Sequence, residues 1–429
     1  MPEIRPFRAL RYDRDVVGDL ALVVAPPYDV ISPERRAILA ARDPHNIVAL
    51  ELPEEESGDE MQDRYRRAAR ALAGWRSAGV LRKDPRPAWY AYEQTYRAPG
   101  DGQERTQRGY LAIVRLVAFG TDGGILPHER TLDAPREDRY RLLRATGANT
   151  SPVVGLYQDP SGVAGATLRT IADRTPAVVV VDDDLVVHRM WTVDPDDPEI
   201  DELCAPAGRG PIFIADGHHR YETAVRYRDE RHMTRSCEED PAFDWVLMLL
   251  VSTAEPLTIL PTHRVVHGLG ADVAAGLPSL AAELFDVEQI DGAALAGGSA
   301  GLSGGGHLGL ITASGAFRMT ARRDAFTPYL PAGGQALRRL DVTLLAIALE
   351  RLCGIDPAGI AGGRLSYTTS IAEAIADVDS GSADAAFILE PTPVDDVLAV
   401  ARDGDVMPQK STHFYPKVLS GLVLNPHEW

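Results

Sequence analysis

Residues 212–224 read I-F-I-A-D-G-H-H-R-Y-E-T-A and carry the sequence's most concentrated chemistry. An apolar strand is expected to end at Asp216-Gly217, with a helix beginning at once. The first amides of such a helix have no intrahelical acceptor, and the helix dipole makes that end positive. Gly217 would let a ligand approach the backbone, and His218, His219 and Arg220 add donors. The Arg220 guanidinium can grip a phosphate with two prongs, and Thr223 lies one turn further on. Together these groups suit a phosphate. Asp216 has two readings. It caps the helix, or it holds a Mg²⁺ that bridges to phosphate oxygens. The histidine pair likewise reads as solvated or core residues, or as phosphate donors.

Leu126-Pro127-His128-Glu129-Arg130-Thr131 is the second informative stretch. Alone, His128-Glu129 reads as a surface loop pair. Beside a phosphate cradle it offers a general base, because phosphoryl transfer to a hydroxyl needs a carboxylate to take the proton. Glu129 is then the candidate base with His128 next to it, and Asp216 the candidate metal ligand. Thr262, His263 and Arg264 close a short strand and read as a second anion contact or an exposed strand end. Lys410, Ser411, Thr412 and Lys417 form a basic, hydroxyl-rich patch or a solvated tail. Pro26-Pro27-Tyr28-Asp29-Val30 is a rigid turn that could bring Asp29 to a site.

The elements that must position these groups alternate between strands and helices. Strands are expected at 21–25, 46–50, 152–157, 177–181, 185–192, 211–215, 245–252, 258–260 and 385–390. A β-hairpin is expected from 88–96 and 107–117 around Pro99-Gly100-Asp101-Gly102. Helices are expected at 33–42, behind Ser32-Pro33, and at 59–78, 136–146, 217–231, 339–352, 371–378 and 394–401, with Asp341 as a cap. The glycine-rich stretch Ala294–Gly306 is a loop and not a phosphate-binding P-loop, since no Gly-Lys-Ser/Thr follows it. The fold class is mixed α/β, in three segments: 1–120, 121–270 and 271–429.

With 429 residues the chain has room for two to three domains. Its net charge of −18 argues against nucleic acid or an anionic membrane as main partner. Cys204, Cys237 and Cys353 are odd in number and form no C-x-x-C, which fits reduced thiols and argues against a cysteine zinc site. Residues 1–20 have no apolar run, and no stretch approaches the roughly 20 apolar residues of a bilayer span. A cytoplasmic location is the expectation, and homo-oligomerisation is left open.

Pro6–Leu10, Ala25–Val30, Asp216–Tyr221 and Pro408–Thr412, with Phe414 and Pro416-Lys417, resemble domain of unknown function family 1015 (DUF1015) along the whole chain. The central order L-P-H-E, then D-G-H-H-R, is similar to the free L-serine kinases of the ParB/sulfiredoxin-like nucleotide-binding fold. That resemblance implies a core of this fold in residues 121–270, with added N- and C-terminal α/β subdomains. It implies a kinase moving a phosphoryl group from ATP or ADP to free L-serine. Glu129 would be the base, Asp216 would serve Mg²⁺, and His218, His219 and Arg220 would hold phosphate. Thr262, His263, Arg264, Lys410 and Lys417 join the expected nucleotide-binding set. The spacing from Glu129 to Asp216 is longer than in the small kinases, and the flanking regions have no counterpart there. The competing reading is a nucleotide-binding switch or partner-binding module without turnover. Sulfiredoxin-like repair ranks lower, because His218 stands where that chemistry uses a cysteine. A zinc hydrolase using His128, His218 and His219 is less natural, with two ligands adjacent in sequence.

Overall fold

The structure, a computed structural model, describes all residues except 132, 235–238, 297–300 and 304. Cys237 and part of the glycine-rich loop thus lie outside the described residues. The chain divides into two compact units that are not consecutive in sequence. Unit 1 comprises residues 1–127, 131–258 and 416–429; unit 2 comprises 128–130 and 259–415.

Unit 1 is built on a nine-stranded sheet. Its strands are β1 (Ile4–Arg5), β2 (Trp89–Arg97), β3 (Glu104–Arg115), β4 (Ile125–Leu126), β5 (Val153–Tyr157), β6 (Val178–Val181), β7 (Val187–Val193), β8 (Ile212–Asp216) and β9 (Trp245–Ser252). The order is β4-β8-β5-β9-β3-β2-β7-β6, with β1 beside β3. β9 is buried at all eight positions, which explains its unbroken apolar sequence. β2 and β3 form the expected antiparallel hairpin. β4 and β8 run parallel, with Ile125 opposite Ile212 and Leu126 opposite Phe213. The segments that follow these two strands therefore leave from one end of the sheet.

The helices of unit 1 include α1 (Pro33–Arg42), α2 (Val48–Glu51), α3 (Asp63–Ser77), α4 (Asp133–Thr146), α5 (Val163–Ala172), α6 (Ile200–Arg209) and α7 (His218–Thr234). α1 starts where Ser32-Pro33 places it, with Ser32 Oγ accepting the Arg35 N–H at 3.2 Å. α7 packs Tyr221 and Ala224 into a core with Tyr110, Ile214 and Met248.

Two expected strands are corrected. Residues 20–22 form a 3-10 turn, because Asp19 accepts the Ala21 N–H, and Ala25 makes only a single bridge, to Ser420. Residues 48–51 are helical, because Asn46 Oδ1 accepts the Val48 N–H at 3.0 Å. Short apolar runs suit either state until such a hydrogen bond decides. α3 begins at Asp63 rather than Asp59, after turns in which Asp59 and Asp63 accept the N–H groups of Glu56 and Glu60.

Unit 2 has a six-stranded sheet of β10 (His263–Val266), β11 (Phe285–Ile290), β12 (His307–Thr312), β13 (Gly315–Ala321), β14 (Leu365–Thr368) and β15 (Ala385–Ile388), ordered β11-β13-β12-β15-β10-β14. Its helices include α8 (Ala271–Ala281), α9 (Asp341–Cys353), α10 (Ile371–Asp379) and α11 (Val394–Arg402). Leu310, Phe387 and Leu345 lie in its core. Asp341 is the first helical residue of α9 rather than its cap, and its carboxylate accepts the Gly306 N–H at 2.6 Å. The fold class is therefore mixed α/β. Among the described residues, no helix is long and apolar enough to cross a membrane.

Candidate functional site

In unit 1 the strand-to-helix junction has the expected form. β8 carries an irregularity between Ile214 and Asp216, which re-aims its last residue. Gly217 follows with φ +88°, and His218 is the first residue of α7. Asp216 Oδ2 accepts Arg220 Nη2 at 2.6 Å, and its Oδ1 accepts Lys417 Nζ at 2.8 Å. Arg220 Nη1 donates to the Pro152 carbonyl. A Cβ on Gly217 would fall 2.9 Å from Arg220 Nε. Glycine is thus required both for the backbone turn and for the fold-back of Arg220.

Lys417 and Arg220 are mostly buried, with side chains 14% and 11% exposed. Burial opposes the charge on each. Asp216 and Asp29 outweigh it and raise both cations above their ordinary ranges, with help from Tyr28 and Glu51 at Arg220. Asp29 therefore does act on the junction. His218 is buried and His219 half-buried.

The expected two-pronged grip of Arg220 is turned inward, onto Asp216 and Pro152. Thr223 Oγ1 is turned to its own helix, donating to the Arg220 carbonyl at 3.0 Å. Each oxygen of Asp216 faces a cation, so a Mg²⁺ on this carboxylate would share it with Arg220 and Lys417. Among the described residues, no group of three or more His, Cys, Asp or Glu could hold a metal. Asp216 is thus engaged by two cations of its own chain.

In unit 2, His128-Glu129 joins the loop at 407–412. The Met407 N–H donates to the His128 carbonyl at 2.8 Å, and Glu129 bridges Met407 in parallel. Glu129 Oε1 accepts the Lys410 N–H at 3.0 Å, and His128 Nε2 lies 2.9 Å from Thr412 Oγ1. Lys410 has φ +55°, a left-handed conformation rare for a side chain of this kind, and it is exposed.

Arg264 is buried and clamps this loop. Its Nη1 donates to the Thr262 carbonyl, and its Nη2 to those of Lys410 (3.1 Å) and Gln409 (3.3 Å). Its guanidinium lies 5.4 Å from the Tyr367 ring centroid. Burial pushes Arg264 down to about 10, against the opposing pull of Tyr367 and Glu129. Thr262 is buried as well. The expected anion contact at 262–264 is thus built into the interior of unit 2, because backbone carbonyls take its donors.

His263 accepts the Leu389 N–H at 3.3 Å, and burial with Arg264 beside it pushes the ring down to about 4. An unfolded histidine titrates near 6.5, so between about pH 6.5 and 4 the unfolded chain binds the extra proton. Stability therefore falls as pH falls through that window, by about 3 kcal/mol at its foot. Half-buried His427, also pushed down to about 4, acts in the same direction in unit 1. Urea midpoints measured from pH 7 to 4.5 should drop less steeply in His263→Asn, whose amide oxygen can accept the Leu389 N–H. Equal slopes would remove His263 as a source.

The expected site residues thus fall into two groups: Asp216, Gly217, His218, His219, Arg220, Thr223 and Lys417 in unit 1, and His128, Glu129, Thr262, His263, Arg264 and Lys410 in unit 2. Sequence reasoning missed Tyr367, Glu51 and Arg139. Only Glu51 carried a signal, as an acid closing the apolar run 47–50.

The profile of the family described as "Protein of unknown function (DUF1015)" matches residues 4–343. No curated protein matches the chain. Among solved structures, a free serine kinase in complex with AMP is 11% identical, with TM-score 0.35, covering 70% of this chain and 87% of that one. SbnI with a C-terminal truncation, from Staphylococcus aureus, is 12% identical, with TM-score 0.37, covering 73% and 86%. A conserved hypothetical protein from Pyrococcus furiosus is 14% identical, with TM-score 0.35, covering 70% and 91%.

Proposed function

The chain belongs to the DUF1015 family, and from that premise we propose that it is an ATP- or ADP-dependent kinase of a small hydroxyl compound, with free L-serine as the first substrate to test. One observation carries this reading. The motif at 128–129 and the loop at 408–412, 281 positions apart at Glu129 and Lys410, are joined by hydrogen bonds at both Glu129 and His128. The Lys410 backbone N–H holds the Glu129 carboxylate in place, and a general base must be held within reach of its proton.

Glu129 takes the proton of the acceptor hydroxyl. His128 and the Lys410 backbone fix the segment that carries it. The N-terminus of α7, with Gly217, His218 and His219, receives the phosphates, and Lys417 and Arg220 add positive charge behind it. The core proposed for residues 121–270, of ParB/sulfiredoxin-like type, supplies all of these but Lys410 and Lys417. Mg²⁺ belongs in the assay as the nucleotide's companion, with no protein ligand assigned to it. The location proposed is cytoplasmic.

The purified protein, given L-serine, MgCl₂ and either ATP or ADP, is expected to form O-phosphoserine. No product from either donor would overturn the assignment. Tight nucleotide binding without product would move the protein to the switch class.

A further inference from the structure

Glu51 closes helix α2 and is 1% exposed. A carboxylate so deeply buried must be satisfied, and this one is. Ser151 Oγ donates to its Oε1 at 2.6 Å, and Thr150 Oγ1 donates to its Oε2. The residue after that pair is Pro152, whose carbonyl receives Arg220 Nη1. Arg220 in turn holds Asp216 at 2.6 Å, at the phosphate turn. A chain of polar contacts therefore runs from the N-terminal region to the strand-to-helix junction, all within unit 1.

The surroundings of Glu51 are charged and tightly partnered. Arg139 donates Nη1 to the Glu51 carbonyl at 2.7 Å, donates Nε and Nη2 to Asp138, and lies 4.1 Å from the Tyr28 ring centroid. A cavity of about 40 Å³, water-sized, lies among Glu51, Arg139, Ser151 and Arg220. Arg220 Nε is buried with no hydrogen-bond partner. An apolar packing role would need neither a carboxylate nor a cavity lined by charged and hydroxyl groups at this point.

We propose that Glu51 is a positioning residue for the phosphate turn: by holding Thr150 and Ser151 it sets the Pro152 carbonyl that anchors Arg220 beside Gly217. The inference rests on the kinase reading for what the turn binds, but not for the anchoring itself. Glu51 comes from the N-terminal segment 1–120, which gives that segment a part in the site.

The test compares full-length wild type, E51A, E51Q and S151A. Calorimetric titration with ADP is expected to show about tenfold weaker binding in E51A and about threefold weaker in S151A. E51Q should stay within about twofold, because its amide can accept from one hydroxyl and donate to the other. Hydrogen exchange of the 217–221 amides, without nucleotide, should quicken in E51A and S151A but not in E51Q. Folded E51A or S151A that binds and exchanges like wild type would overturn the proposal. So would E51Q as impaired as E51A, since that would make the charge and not the anchoring responsible. Should E51A fail to fold, S151A against E51Q decides alone. Wild type that fails to bind ADP would sink the kinase reading, and the exchange data would still decide the role of Glu51.

Discussion

Replacing Glu129 by glutamine is expected to lower kcat by about 10²–10⁴-fold, the usual contribution of a positioned general base. Nucleotide affinity should stay within a few fold. The glutamine amide oxygen can still accept the Lys410 N–H that Glu129 Oε1 accepts at 3.0 Å, so the loop keeps its anchor. What disappears is the carboxylate proposed to take the hydroxyl proton. Lys410→Ala is the companion experiment, because the backbone N–H that meets Glu129 survives it and only the exposed side chain is lost. Steady-state kinetics and nucleotide titration on both variants separate these roles. A Glu129→Gln enzyme keeping more than about a tenth of wild-type kcat would take Glu129 out of the role of base.

Asp216→Ala is expected to have the largest effect on stability, about 3–5 kcal/mol, the usual result of stripping one partner from a buried ionic group. Asp216 meets Arg220 Nη2 at 2.6 Å and Lys417 Nζ at 2.8 Å, and all three side chains are no more than 15% exposed. Without the carboxylate two neighbouring cations repel one another in a poorly solvated place. Asp29 acts on both and keeps the effect from growing further. Lys417→Met should cost less, because the Asp216–Arg220 pair survives. Urea unfolding at neutral pH measures both. A loss below about 1 kcal/mol for Asp216→Ala would mean that water already screens the cluster.

Much of unit 1 was legible in sequence because its signals are local. Ser32-Pro33 sets the start of α1, and the apolar run 245–252 sets β9. Asp216-Gly217 marks the junction to α7. The runs 21–25 and 46–50 misled because single side-chain hydrogen bonds, from Asp19 and Asn46, chose turn or helix over strand. α6 passed unseen, since Pro206 inside it reads as a helix stop. Most of the unit 2 sheet passed unseen too, its longer strands lacking a clean alternation of buried and exposed residues. At the site, the residue types were visible but not their directions. Arg220 and Arg264 looked outward-facing in sequence, yet their acceptors are the carbonyls of Pro152, Thr262, Gln409 and Lys410. Every residue has a carbonyl, so nothing in the sequence marks which ones these will be.

Unit 1 is completed by residues 416–429, which supply Lys417 and the Leu424 carbonyl that accepts the Leu10 N–H at 2.9 Å. On the ribosome, residues 259–415 must be made before that closing piece. At roughly 5–20 residues per second this leaves the first sheet waiting on the order of ten seconds. For that interval Asp216 and Arg220 lack their third charge, and Leu10 lacks its backbone partner. The nascent chain would meet chaperones in this state, and its yield in the cell should depend on how well the waiting sheet is shielded.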